Sequence, residues 1–130
     1  MFSTQRGETL VEFAVAAVLF LMCLFGTIEF GLGVWQYNMV SNLAQEGARL
    51  AAVCGPTKTL TNAACDVSSY VQGRALGMDV TVTFPLGNPS AIAPGSLVAV
   101  KVTHDFGPHL ALLPTGTIRL QSTSHMVVAR

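Results

Sequence analysis

Two glutamates, Glu8 and Glu12, stand four residues apart at the mouth of a long apolar run, and a third, Glu29, lies further along it. Four residues is one helical turn, so Glu8 and Glu12 share a face. Paired carboxylates perform acid–base chemistry when a cleft pushes their proton affinities apart and a substrate reaches both. The surrounding residues are Leu, Val, Phe and Ala, which supply no such cleft. Ser68 and Ser69 lack the context of a nucleophile elbow. His104, His109 and His125 are scattered without metal-ligand spacing, and His104 beside Asp105 reads as a strand end. No catalytic residue, metal site or cofactor is expected, and the chain reads as a non-enzyme.

The three acids therefore pose a question of position. Apolar residues make up 51% of the chain and charged residues 11%, where soluble domains carry about 25% charged residues. The deficit is local. From Phe13 to Ile28 there is no charge, and Thr27 alone offers a hydrogen-bonding side chain. Crossing a bilayer takes about 20 apolar residues. Residues 10–35 meet that length, with Glu12 at one boundary and Trp35 and Tyr37 at the other, where amphipathic rings prefer to lie. A buried core helix would need more apolar sequence around it than so small a chain has. A cleaved secretory signal would need a small-x-small site after the apolar core, and GTIEFGLGVW places Glu29 among weak candidates. Basic and acidic residues balance at seven each, with no basic stripe, so nucleic-acid binding is not expected.

Beyond Tyr37 the helical pattern continues. Val40, Leu43, Ala44, Gly47 and Ala51 recur on one side, with Asn42, Gln45, Glu46 and Arg49 on the other. Glu46 and Arg49 are three apart and can pair weakly. Gly31 and Gly33 are soft points for a bend. No proline interrupts residues 8–53. After Cys54 the composition shifts to Gly, Pro, Thr, Ser and Asn. Asp66 is placed to cap a short helix through VSSYVQGRAL, which Gly77 stops. DVTVTF, SLVAVKVT and TIRLQSTSHMVV alternate as strands, with the prolines in their connections. The apolar loop GPHLALLPTG either tucks under the sheet or forms a contact patch. The expected fold class is α+β, a long helix packed on a small antiparallel sheet.

Cys23 sits in the apolar run as a small hydrophobe. Cys54 and Cys65 bracket a polar ten-residue stretch. Their closure as a disulfide would stabilise by about 2–3 kcal/mol and would imply an oxidising compartment outside the cytoplasm; two free thiols are the alternative.

RGETLVEF resembles a type IV prepilin cleavage signal: a short leader with a basic residue, ending in Gly, then an apolar segment with Glu at its fifth position. The leader would be residues 1–7, cut between Gly7 and Glu8. Glu12 then becomes the fifth residue of the mature chain, and Phe13 is the aromatic that Flp-type members tend to carry after it. Glu-Phe-Ala opening the apolar run, IEFG, an Asn high on the helix and QEGARLAA (with Glu46, Gly47 and Arg49) resemble the TadE-like branch of pseudopilins over residues 7–52. The chain departs from that branch in ending on Arg130 rather than on an acidic residue.

The resemblance implies a pilin-like architecture: leader 1–7, long helix 8–53 and an extracytoplasmic domain 54–130 with a disulfide loop 54–65. It implies a minor pseudopilin of a tight-adherence (Tad/Flp) pilus system, trimmed by a prepilin peptidase. Its partners would be other pilins or pseudopilins and the inner-membrane assembly platform. It would cross the bacterial inner membrane once, with its N-terminus cytoplasmic. Trimming would free an amino group at Glu8 for a neighbour's Glu12 to pair with. Glu29 would snorkel to water or pair with another subunit. Two other readings are an unprocessed single-pass subunit of another envelope complex and a secreted, disulfide-bonded binding module.

Overall fold

The computed structural model describes residues 4–54, 65–89, 92–107 and 116–129. Helix α1 runs unbroken from Thr4 to Cys54, 51 residues, or about 75 Å. Its sequence explains its length. Ala, Leu and Met dominate, proline is missing from it, and Gly55-Pro56 follow its last residue. The helix starts inside the expected leader rather than at Glu8. Gly31 and Gly33 both lie within it, so neither ends it.

Helix α2 spans Val67–Arg74. Asp66 caps it as expected: its Oδ1 accepts from the backbone N–H of Ser68 at 3.1 Å and Ser69 at 3.2 Å. The Ser69 hydroxyl donates to Oδ2 at 2.6 Å. These three bonds, the hydroxyl first, hold the Asp66 carboxyl below its ordinary range. The helix ends at Arg74, earlier than Gly77 suggested, because the chain turns left-handed at Leu76 and Gly77.

Strands β1 (Val80–Thr83), β2 (Leu97–Phe106) and β3 (Ile118–Val127) form an antiparallel sheet in the order β1-β2-β3. The expected alternation holds in β2 from Val100 onward, where Val100 and Val102 are buried while Lys101 and Thr103 are only half so; before it, Val98 and Ala99 are both buried. Thr83, Lys101 and Thr123 stand in one row across the sheet, and Thr81, Thr103 and Gln121 in the next. These rows form the polar outer face. The inner face packs on the upper half of α1, where Val40, Leu43, Ala44, Ala48, Ala51 and Ala52 are buried.

Strand β2 runs opposite to α1. At its lower end, a β-carbon on Gly33 would lie 3.9 Å from Phe106. At the upper end, Ala129 donates its N–H to the Ala52 carbonyl at 2.9 Å. Nineteen helical residues and ten strand residues cover nearly the same distance, about 30 Å. Sheet and helix are therefore close to collinear. Most of the apolar connection between β2 and β3, residues 108–115, lies outside the described residues, as does the question of where it tucks.

Candidate functional site

Gly7, Glu8, Glu12 and Phe13 are all exposed on the first turns of α1. A β-carbon on Gly7 would meet nothing within 4 Å. Packing inside this chain does not require glycine there. Among the described residues, Glu8 and Glu12 have no hydrogen bond or ion pair. A carboxylate accepts only, so whatever offsets these charges must come from outside the described chain.

From Val11 to Ile28 the helix is exposed on all sides apart from half-buried Ala17. One helix, residues 7–54, is long and apolar enough to cross a membrane. Thr27 donates its hydroxyl to the Cys23 carbonyl at 2.8 Å. That bond satisfies the segment's one hydroxyl internally, as hydrocarbon demands. Cys23 is a free, exposed thiol.

Glu29 behaves differently from the expectation that it reaches water. It is 6% exposed. It begins a stripe that continues through Gly33, Gln36, Val40, Leu43 and Gly47, alternating four and three residues. One face of the helix is thus covered from Glu29 upward, while Phe30, Val34 and Trp35 on its other faces stay exposed.

Gln36 is the next polar member of the stripe. His104 brings its Nδ1 within 2.7 Å of the Asp79 carbonyl and its Nε2 within 3.2 Å of Gln36 Oε1. With a proton on Nδ1, the neutral ring donates to Asp79. It accepts from Gln36 once that amide presents its NH2. The ring thereby ties together β2, the entry to β1 and α1. Sequence reasoning missed this role, because nothing local links positions 36, 79 and 104.

The Glu46–Gly47–Arg49 motif divides into three tasks. A β-carbon on Gly47 would lie 3.1 Å from Val71, 3.2 Å from Val100 and 3.5 Å from Val67. Glycine lets α2 and β2 approach α1 together. Glu46 pairs with Arg74 at 3.0 Å across the two helices, not with Arg49. The Arg74 guanidinium also lies 4.8 Å from the centre of the Tyr70 ring. Arg49 is exposed and makes no ion pair or hydrogen bond among the described residues.

Cys54 and Cys65 form a disulfide with Cα atoms 5.7 Å apart. It joins the last residue of α1 to the approach to α2. No group of three His, Cys, Asp or Glu suited to a metal ion occurs among the described residues.

Comparison with protein families adds one finding. The family described as TadE-like protein matches residues 7–49. This segment is TadE-like. The match opens on Gly7 and closes on Arg49, about a third of the chain. The TadE-like segment therefore contains the acidic foot, the apolar stretch and the Glu46–Arg49 motif. The sheet lies beyond it. No curated protein and no solved structure matches the chain.

Proposed function

We propose that this chain is a minor pseudopilin of a Tad/Flp-type pilus system. In this reading a prepilin peptidase cuts it between Gly7 and Glu8, and it then assists pilus assembly from the bacterial inner membrane. The observation that carries the reading is the foot of α1, where Gly7, Glu8 and Glu12 stand exposed at the start of a TadE-like match, the two glutamates without an ion pair among the described residues. A glycine that packing does not require is explained if a peptidase must reach its backbone. Gly7 also has the weakest hold on helical geometry, so the first turn opens there most easily.

Cutting exposes an α-amino group on Glu8, cationic near neutral pH. In a bundle of parallel helices, Glu12 of one subunit pairs with that amine on a neighbour displaced along the axis. The pairing offsets the few kcal/mol that a lone carboxylate costs in hydrocarbon. The apolar stretch crosses the membrane once, N-terminus inside, and the disulfide-bonded domain faces the oxidising exterior.

N-terminal mass measurement on native protein tests this directly. A membrane-retained chain beginning at Glu8 is expected. A chain beginning at Met1 points to an unprocessed envelope subunit, and a soluble fragment without residues 10–35 points to a secreted module.

A further inference from the structure

We infer that the lower end of the sheet, the row of Phe106 and Ile118, is seated in the headgroup layer of a phospholipid bilayer, as a second membrane contact beside the spanning helix. This rests on the membrane-crossing part of the reading above, not on trimming or pilus assembly. The uncovered surface of α1 gives the height of the layer. Phe30, Leu32, Val34, Trp35 and Tyr37 are all exposed, and Asn38 is the first exposed polar side chain after Thr27. The two polar side chains between them turn the other way. Glu29 is buried, and Gln36 is half-buried with its Oε1 3.2 Å from the His104 ring. A helix that hides its polar groups and exposes apolar ones is fitted to lipid rather than to water. That surface reaches Tyr37, and Trp35 and Tyr37 are the residues that mark a membrane boundary.

The sheet begins below that boundary. Phe106 stands opposite Gly33, and Ile118 is its partner on β3. From Gly33 up to Trp35 and Tyr37 is about 3 and 6 Å along the axis. The interfacial layer on each side of a bilayer is about 5–7 Å deep, so the Phe106–Ile118 row falls within it. A helix tilt of about 20° moves a sheet about 10 Å off the axis by about 3 Å, which does not lift the row clear of the layer.

The chemistry of this end suits such a position. Ile118 is 49% exposed. In the next row up, Asp105 and Arg119 pair at 3.0 Å, so neither charge enters the layer alone. Residues 107–117, which join the two strands in sequence, include no Asp, Glu, Lys or Arg. His104 faces Asp79 and Gln36 with its two ring nitrogens, leaving neither to seek water. The lysine of the outer face, Lys101, stands five strand residues above Phe106, about 17 Å higher.

Paramagnetic relaxation in the full, isotope-labelled chain tests the assignment. The bilayer is a dimyristoylphosphatidylcholine bicelle doped with phosphatidylcholine spin-labelled near its headgroup. Relaxation enhancement at the Phe106 and Ile118 amides should exceed that at Leu97 and Val127, the opposite end of the sheet about 30 Å higher, by about tenfold or more. A water-soluble gadolinium chelate should give the reverse order. Cysteine variants in phosphatidylcholine vesicles give an independent readout. Ile118 and Val127 are similarly exposed within the chain, 49% and 58%. A charged maleimide should nevertheless alkylate Ile118→Cys about tenfold more slowly than Val127→Cys, because lipid excludes the reagent. Equal enhancement at both ends of the sheet, or equal alkylation, with the Thr27 amide still broadened, would overturn this inference and leave the span standing. An unbroadened Thr27 would overturn both. Broadening of Phe106 and Ile118 by a spin-labelled second copy but not by labelled lipid would assign the row to self-association and overturn it too. The expected pattern in an untrimmed Gly7→Val chain would support lipid seating independently of processing.

Discussion

At Gly7, Glu12 and Asp66, single side-chain atoms decide the outcome. Gly7→Val adds a branched side chain where none is needed for packing. Trimming should stop, leaving a mass that includes residues 1–7; normal trimming of this variant would count against the peptidase reading. Glu12→Ala removes an exposed carboxylate that has no partner among the described residues. The variant should be trimmed normally yet give few pili in a shear assay, and wild-type piliation would leave the charge pairing without support. Asp66 makes a prediction about acid. Its carboxyl is held below the ordinary range by Ser69 and Ser68, so the unfolded chain binds the proton more readily than the folded one. Its contribution is complete above about pH 4 and disappears as pH falls through the lower, folded value. Amide exchange at Ser68 and Ser69 should accelerate over that interval, and Asp66→Asn should flatten the effect.

Among the elements, the contact of α1 with α2 and β2 depends on Gly47. Three valines from the two partner elements stand 3.1, 3.2 and 3.5 Å from where its β-carbon would be. Gly47→Leu should therefore destabilise the domain by about 1–3 kcal/mol, read from a denaturant titration, although leucine is the better helix former. The opposite holds at Gly73, whose β-carbon direction is open; the two glycines look alike in sequence and differ only in what lies opposite. The disulfide is a second joint between elements. It closes a separation of 11 residues, worth about 2–3 kcal/mol. Cys54→Ser should lower the melting temperature under oxidising conditions only. An equal loss in reductant would assign the effect to packing of the thiol instead.

For the molecule as a whole, the legible features were those with local or periodic causes. The helix was readable because proline is missing from residues 8–53 and apolar residues fill it. The three strands were readable from alternation, and the α2 cap from Asp66 ahead of two serines. Helix ends were less legible: α2 stops at Arg74 because of a left-handed turn that begins on a leucine, a residue that gives no such signal. The burial of Glu29 was not legible, because what covers that face of α1 is a tertiary fact. The Glu46–Arg74 pair and the His104–Gln36 contact join positions 28 and 68 residues apart, beyond any local pattern. The acidic foot was the opposite case, since its types and spacing carried the resemblance that the TadE-like match later met.

The near-collinear sheet and helix have a mechanical corollary. Stitched at Gly33, Gln36 and Ala52, the head is splinted to its pole over most of its height, with no slack joint between them. Turning or tilting the lower end must swing the polar outer face by the same angle, so under the proposed function an event among lipids would be displayed at the sheet as a change of bearing.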